Sequence, residues 1–255
     1  MHTFKKKYGQ NFLRDKNILN SIINSFEVCD DSIIIEVGPG DGELTRMLVT
    51  KKTPVISFEI DKSLKIYLDK INYDNLSVIY EDFLSIDLKK YTKKKNVYFV
   101  ANVPYYITTP IIMKFINENI IPNIMVIMVQ KEVAERLSSK PGNKEFGAIT
   151  AILNYYFDIE YLFDVDRTKF YPVPNVDSAI IRLTKKDILL KLDSFDKYKN
   201  IVNDAFKQKR KNLRNNLKKY DLEKIEQILK KYNYSLLNRA EEINYEVFVE
   251  LSNNI

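Results

Sequence analysis

The stretch Ile33-Ile34-Ile35-Glu36-Val37-Gly38-Pro39-Gly40-Asp41-Gly42-Glu43-Leu44 predicts a buried strand, a glycine-rich turn and the start of a helix. Glycine allows a tight turn and lets a ligand approach the backbone without a Cβ in the way. In an α/β sheet such a turn lies at the carboxyl end of its strand, where these folds bind ligands. Taken alone, the motif is equally compatible with a plain turn between a strand and a helix.

Strand-like and helix-like segments alternate on both sides of this turn. After the first helix-like stretch, from about Asp15 to Phe26, further strands are predicted over Val55–Phe58, Leu76–Ile79, Val97–Val100 and Ile124–Val129. Helical patterns lie over Gly42–Leu48, Lys62–Lys70 and Pro110–Asn117. The alternation predicts an α/β fold, a Rossmann-like domain with a mainly parallel sheet. Two later segments, Tyr155–Val165 and Ala179–Leu183, suit an antiparallel addition at the edge of the sheet.

The chain changes character after Lys186. Glycine disappears, and amphipathic helical patterns continue to Ile255. We therefore expect two domains: an α/β domain over residues 1–186, with a basic N-terminal arm, and a small all-helical domain over residues 187–255.

Composition excludes several kinds of chemistry. The 255-residue chain has one cysteine, Cys29, and one histidine, His2. These are too few for an internal disulfide, a cysteine zinc site, or a histidine-based triad or metal site. We therefore expect no metal. No apolar run approaches the ~20 residues that span a bilayer, and no secretory signal is evident. We expect a cytoplasmic protein, a monomer without a membrane partner, whose net charge of +6 permits an anionic partner.

A carboxylate follows the second predicted strand. Glu59 lies about 20 residues beyond Gly38, the spacing of the acid that binds ribose hydroxyls in Rossmann-type sites. A surface carboxylate at the start of a helix is the alternative. The turn reads Gly-Pro-Gly-Asp-Gly, not the Gly-x-Gly-x-x-Gly of dinucleotide sites. It resembles the first motif of class I methyltransferases, which implies S-adenosyl-L-methionine as cofactor, bound at Gly38 and Gly40. By the same resemblance, Asp82 would bind the adenine amine of the cofactor and Phe83 would flank its ring.

The segment Asn102-Val103-Pro104-Tyr105 follows the fourth of these strands. It resembles the Asn-x-Pro-Tyr signature of adenine N6-methyltransferases, which also places Asn102 near the cofactor. The chemistry explains the residue types, because the adenine N6 lone pair is delocalised into the ring. The Asn102 carbonyl can accept one amine hydrogen and a main-chain carbonyl in Val103-Pro104 another. Tyr105 can stack on a base that has left its helix. Catalysis would then depend on positioning and electrostatics. A proline-containing turn is the alternative.

The chain as a whole resembles the ribosomal RNA adenine N6,N6-dimethyltransferases, specifically the bacterial small-subunit type. The further matching blocks are Lys7–Leu13, Gln130–Arg136, Pro141–Gly147, Phe170–Ala179 and Lys209–Leu217. The resemblance implies that Asn11 and Leu13 contact the cofactor. It also implies that Phe170 lies across the target adenine from Tyr105, with a core aromatic as the alternative. This chain departs from the usual Asn-Leu-Pro-Tyr-Asn at two positions, Val103 and Tyr106.

Residues 205–220 hold seven basic side chains and no acid. Lys207, Lys211, Arg214 and Lys218 follow helical spacing, which predicts one basic helix face, with Leu213 and Leu217 toward the core. Such a face suits a phosphate backbone, although a solvated face is the alternative. We predict RNA binding by Lys207, Arg210, Lys211, Arg214 and Lys218. The N-terminal Lys5, Lys6 and Lys7 form a second, weaker basic patch.

Together these features predict dimethylation of adenine N6 in small-subunit ribosomal RNA, in a partly assembled subunit. A large-subunit or DNA adenine methyltransferase is an alternative. A relative that acts mainly as a non-catalytic assembly or transcription factor is another, although Gly38, Glu59, Asp82 and the Asn102–Tyr105 segment are intact.

Overall fold

The structure, a computed structural model, describes residues 11–93 and 95–255, and Tyr105 by its backbone alone. The described residues fold into two compact units, one within Met1–Ala134 together with Glu160–Lys185 and one of Glu135–Ile159 with Lys186–Ile255. No helix in the described ranges is long and apolar enough to cross a membrane.

The first unit is built on a mixed sheet of seven strands. In chain order the strands are β2 (Ser32–Val37), β3 (Val55–Phe58), β4 (Leu76–Ile79), β5 (Asn96–Asn102), β6 (Ile124–Gln130), β7 (Phe157–Val165) and β9 (Ser178–Lys185). They lie in the order β4-β3-β2-β5-β6-β9-β7. The first five are parallel, and β9 runs antiparallel to β6. The predicted α/β fold with an antiparallel addition is confirmed.

Burial along the central strands explains their sequence. Every residue of β2 is buried, and Ile34 and Ile35 are fully inaccessible. A parallel strand with both faces covered has no polar face, so it reads as a continuous apolar run. The helices of this part of the chain are α1 (Lys16–Asn24), α2 (Glu43–Leu48), α3 (Lys65–Leu68), α4 (Lys89–Thr92), α5 (Thr108–Asn117) and α6 (Lys131–Leu137).

The strand register brings the predicted site residues to one edge. Val37, the last residue of β2, pairs with Phe58 of β3 on one side and with Ala101 of β5 on the other. The residues that follow these three in the chain are Gly38, Glu59 and Asn102. Three segments separated in sequence therefore meet at the carboxyl edge of the sheet, where open α/β folds bind ligands.

A second, two-stranded sheet joins distant parts of the first unit. β1 (Phe12–Leu13) pairs antiparallel with β8 (Phe170–Tyr171), with Leu13 opposite Phe170. Ion pairs flank the pairing: Lys169 contacts Asp15 at 2.7 Å, and Arg14 contacts Asp41 of the glycine-rich turn at 2.6 Å. The sequence predicted neither strand, because two residues carry no periodicity.

The second unit is mainly helical. Its helices are α7 (Ala148–Asn154), α8 (Phe195–Ala205), α9 (Leu213–Asn216), α10 (Leu222–Lys231) and α11 (Tyr245–Asn254). The Tyr198 side chain of α8 is fully buried and donates a hydrogen bond to the Ala151 carbonyl of α7 at 2.7 Å. Contacts of this kind group residues 135–159 with the C-terminal helices. The assignment of a cofactor role to residues 1–186 and an RNA role to residues 187–255 stays a prediction.

Candidate active site

A cavity of about 780 Å³ opens at the carboxyl edge of the sheet in the first unit. Ten of the residues that the sequence predicted for the site line it: Asn11, Leu13, Gly38, Gly40, Glu59, Asp82, Phe83, Asn102, Pro104 and Phe170. The side chain of Tyr105 lies outside the described residues, as do Lys5, Lys6 and Lys7. Residues predicted from separate motifs therefore share one cavity, while their individual roles stay predictions.

The glycine-rich turn is held between two other segments. Gly38 and Gly40 have φ angles of +72° and +62°, a left-handed conformation that side chains disfavour. A Cβ on Gly38 would meet Val103 Cγ1 at 3.1 Å, and one on Gly40 would meet the Phe12 ring at 2.8 Å. The sequence explained these glycines by a tight turn and by ligand approach. The structure adds that they let β1 and the segment after β5 pack directly on the turn.

Glu59 is a buried carboxylate at the end of β3, with 5% of its surface exposed. Its Oε1 accepts a hydrogen bond from the Asp61 amide at 2.7 Å, and its Oε2 accepts one from the Gly40 amide at 3.2 Å. Burial raises the pKa of the Glu59 carboxyl to about 7, although these two amides act in the opposite direction. A carboxylate has about four acceptor positions, so two remain for a ligand in the cavity.

Glu36 is a second buried carboxyl group, to which the sequence assigned no role. Its Oε2 accepts hydrogen bonds from the hydroxyls of Ser57 at 2.6 Å and Thr45 at 2.8 Å. Its Oε1 has no partner within the described part of the chain, and burial raises the pKa of this group to about 7. Glu36 thus ties β2 to β3 and to α2, and supports the turn from within. The signal in the sequence was an acid inside a buried apolar strand.

Asp82 and Phe83 follow β4 and differ in exposure. Asp82 is exposed, and its Oδ1 accepts a hydrogen bond from the Leu84 amide at 2.9 Å at the start of the 3₁₀ turn Phe83–Ser85. The Phe83 ring is buried and packs edge-on against Phe58 with centroids 5.3 Å apart. It therefore belongs to the core as well as to the cavity wall.

Among the cavity residues that the sequence reasoning missed are two exposed apolar side chains. Ile60 and Leu84 line the cavity with 47% and 39% of their surfaces exposed. Each closely follows a strand-end carboxylate, Glu59 or Asp82. An apolar side chain at an exposed position beside a predicted polar contact was the signal that could have identified them.

Asn102 ends β5, opposite Met128 of β6, and is half-buried in the cavity wall. Its side-chain amide forms no hydrogen bond with the described residues. The Pro104 carbonyl accepts a hydrogen bond from the Ile107 amide at 3.1 Å, which closes the 3₁₀ turn Tyr105–Ile107. Of the two carbonyls that the sequence offered as a second acceptor, Val103 is therefore the better placed to serve a ligand.

Phe170 lines the cavity from β8, with 4% of its surface exposed, and belongs to a hydrophobic cluster with Leu13 and Leu19. Its ring is thus both a core aromatic and part of the wall. The two interpretations that the sequence offered are compatible.

The basic segment of the second unit, residues 205–220, is not one helix. Ala205 ends α8, residues 206–212 form turns and bends, and beyond them only Leu213–Asn216 is helical. Asn212 caps this short helix, and Asn216 Nδ2 donates hydrogen bonds to the carbonyls of Ala205 at 2.6 Å and Gln208 at 3.2 Å. These side-chain hydrogen bonds to the backbone stabilise turns against a continuous helix. The predicted single helical face of Lys207, Lys211, Arg214 and Lys218 is therefore wrong.

The basic side chains of this segment are nevertheless exposed. Leu213 and Leu217 are fully buried, as predicted, and anchor the segment. Lys219 pairs with Asp204 at 2.8 Å. None of the other basic side chains of the segment forms an ion pair with a described residue. These side chains are Lys207, Lys209, Arg210, Lys211, Arg214 and Lys218.

Comparison with known proteins agrees with the resemblance found in the sequence. A family model described as "Ribosomal RNA adenine dimethylase" matches residues 1–255. "Ribosomal RNA small subunit methyltransferase A" of Aster yellows witches'-broom phytoplasma (strain AYWB) is 43% identical over 217 residues, which cover 82% of this chain and 79% of the relative. The protein of the same name from Geobacillus thermodenitrificans (strain NG80-2) is 43% identical over 217 residues, which cover 82% of this chain and 74% of the relative.

Two solved structures share the fold over almost the whole chain. A dimethyladenosine transferase from Plasmodium falciparum has a TM-score of 0.78 and 25% identity, and covers 94% of this chain and 95% of its own. The 23S rRNA methyltransferase ErmE has a TM-score of 0.76 and 28% identity, and the match covers 96% of this chain and 99% of the ErmE chain. With a family model that matches from end to end and relatives well above 30% identity, the chain belongs to the ribosomal RNA adenine dimethylase family.

Proposed function

We propose that the protein transfers methyl groups from S-adenosyl-L-methionine to N6 of adenine in small-subunit ribosomal RNA and forms N6,N6-dimethyladenine. The observation that carries the proposal is the strand register, which sets Gly38, Glu59 and Asn102 side by side at one cavity. One cavity thus holds both the residues predicted to bind the cofactor and those predicted to bind the target amine.

The residues of the cavity fit this cofactor. Glu59 has acceptor positions for two ribose hydroxyls, and Asp82 Oδ2 can accept a hydrogen bond from an adenine amine. Ile60 and Leu84 offer apolar contact to a purine ring. When bound, S-adenosyl-L-methionine supplies a methyl group made electrophilic by its sulfonium. The acidic lining suits this cationic cofactor better than it suits a dinucleotide, whose pyrophosphate would be repelled.

The last residue of β5 and the residue that follows it hold the nucleophile. The Asn102 side-chain oxygen and the Val103 carbonyl accept the two hydrogens of the adenine amine, which favours the pyramidal form with its lone pair directed away from both acceptors. Positioning of this kind supplies catalysis without a histidine or cysteine. Transfer leaves a cationic N6 that releases one proton to solvent, and the monomethylated amine retains one hydrogen, so one of these acceptors can hold it for a second transfer.

The exposed basic segment of the second unit would dock the enzyme on RNA. Its turns expose the cations Lys207, Arg210 and Lys211, and the nearest acid in the chain, Asp204, is paired with Lys219 at 2.8 Å. Contacts between such cations and phosphates fix position without reading the base sequence. A small-molecule methyltransferase has no need of them.

A methyltransferase of the large subunit is the main competing function. The solved 23S rRNA methyltransferase ErmE is 28% identical to this chain, whereas relatives named for the small subunit reach 43%. The difference favours the small subunit as substrate.

The test is a comparison of substrates. Purified protein and labelled cofactor are incubated with small subunits that lack the modification, large subunits, DNA and free adenosine, and Asn102→Ala serves as the inactive control. We expect dimethyladenine with the small subunit alone. Equal labelling of the large subunit or of DNA, or a product that stops at monomethyladenine, contradicts the proposal.

A further inference from the structure

Tyr106 is an exposed aromatic side chain at the mouth of the cavity. It lines the cavity, yet 70% of its surface is accessible. Its ring stacks on no other aromatic ring of the described residues. A large ring left in water forfeits the free energy that burial provides, and a partner that covers the ring would recover it.

The backbone under this ring is fixed. The hydrogen bond from the Ile107 amide to the Pro104 carbonyl closes the turn that contains Tyr106. The helix that follows is anchored at once, because Thr108 and Ile111 are 2% and 1% exposed. Tyr106 is therefore an aromatic group on a hydrogen-bonded turn beside an anchored helix, an arrangement that limits the entropy lost when a ligand packs on it.

Position separates Tyr106 from the other exposed apolar residues of the cavity. Ile60 and Leu84 follow the carboxylates proposed to hold the adenosine of the cofactor. Tyr106 instead follows Asn102 by four residues and lines the same cavity as Asn102 and Val103. An RNA strand that delivers one adenine to Asn102 carries the neighbouring nucleotides past this rim.

We propose that Tyr106 stacks on the base of a nucleotide adjacent to the target adenine and so positions the RNA strand. The inference rests on the proposed function, because it requires an RNA substrate at this cavity. Stacking on an aromatic side chain accepts any base, since every base has a π face. The pattern that this chain resembles has asparagine at this position, so the platform is a feature of this sequence.

Steady-state kinetics on unmodified small subunits test the proposal. Tyr106→Ala and Tyr106→Asn should raise KM for the subunit roughly 10-fold, within the 5- to 150-fold range for loss of one stacked base, with kcat little changed. Tyr106→Phe, which keeps the ring, should behave as wild type. Cofactor affinity should be the same in all four proteins. An unchanged KM in Tyr106→Ala, a fall confined to kcat, or a parallel loss of cofactor affinity would overturn the inference.

A second measurement works even if the small subunit is the wrong substrate. The chain contains no tryptophan, so Tyr106→Trp introduces a single tryptophan at the rim, which can be excited at wavelengths where tyrosine does not absorb. Single-stranded oligoadenylate should quench its emission saturably. Tyr73→Trp, at a position 50% exposed between α3 and β4, is the matched control and should not respond. Wild-type protein that fails to methylate the subunit contradicts the proposed function, whereas equal or absent quenching in the two tryptophan variants contradicts stacking.

Discussion

Replacing Glu59 by glutamine should weaken cofactor binding and remove its pH dependence. The ionised carboxylate accepts hydrogen bonds from the Gly40 and Asp61 amides and keeps two acceptor positions for ribose hydroxyls. In Glu59→Gln one oxygen becomes an NH₂ group, which cannot accept from an amide or a hydroxyl. One ligand hydrogen bond to a charged group is lost, which costs about 1.5–3 kcal/mol, or roughly 10- to 160-fold in Kd.

The pH dependence follows from the raised pKa of Glu59. Burial brings that pKa to about 7 in the free protein, and hydroxyl donors of a bound ribose favour the ionised form. Binding should therefore be strongest above pH 7 and weaken as the carboxyl group is protonated. With a free-protein pKa of about 7 and a much lower pKa in the complex, linkage gives a rise in Kd of about 10-fold between pH 8 and pH 6.

Isothermal titration of S-adenosyl-L-methionine at pH 6, 7 and 8 measures both effects. Glu36→Gln is the matched control, because burial also raises the pKa of Glu36 to about 7 but its side chain is bound to Ser57 and Thr45. The control should retain the pH dependence and Glu59→Gln should lose it. Wild-type Kd in a folded Glu59→Gln protein, or a flat wild-type profile, refutes the assignment of Glu59 to the ribose.

Three other substitutions test the remaining parts of the site. Asn102→Ala should abolish most methyl transfer on the small subunit while changing cofactor affinity less, as measured by labelled transfer and by calorimetry; near-normal turnover would remove Asn102 from catalysis. The pKa of Glu36 is higher in the folded state than in the unfolded state. Protonated Glu36 therefore stabilises the fold at low pH, and this stabilisation is lost as pH rises through about 7. Relative to Glu36→Gln, the wild type should therefore lose about 2 kcal/mol of unfolding free energy between pH 5.5 and pH 8.5, measured by urea denaturation; equal pH profiles would contradict this. Neutralising Lys207, Arg210 and Lys211 to glutamine should weaken RNA binding and flatten its salt dependence, whereas the same change at the exposed Lys89, Lys90 and Lys93 should do neither; equal effects would mean that only net charge matters.

Sequence reasoning succeeded where periodicity and chemistry coincide. The strands Val55–Phe58 and Leu76–Ile79 were predicted with the bounds that the structure has, because apolar runs bounded by turn residues leave little choice. The site residues Gly38, Glu59 and Asn102 stand out for a related reason. Each lies at the end of a strand, and parallel strands bring their carboxyl ends to one edge.

Features that depend on tertiary contacts could not be read from the sequence. The pairing of Phe12–Leu13 with Phe170–Tyr171 joins segments from opposite ends of the first unit and leaves no local pattern. The continuous basic helix was wrong because helical spacing of charges ignores the competing hydrogen bonds of Asn212 and Asn216. The packing of Phe12 and Val103 on the glycines was also invisible, since it needs the distance between segments far apart in the chain.

Mass spectrometry of ribosomal RNA from cells with and without this protein tests the central claim most directly. Nuclease digestion of the separated small- and large-subunit RNAs, followed by nucleoside quantification, measures N6,N6-dimethyladenine in each. We expect dimethyladenine to be present in small-subunit RNA, to disappear when the protein is removed, and to return with the wild-type chain but not with Asn102→Ala. Unchanged dimethyladenine in small-subunit RNA without the protein, or a loss confined to large-subunit RNA, would contradict the claim.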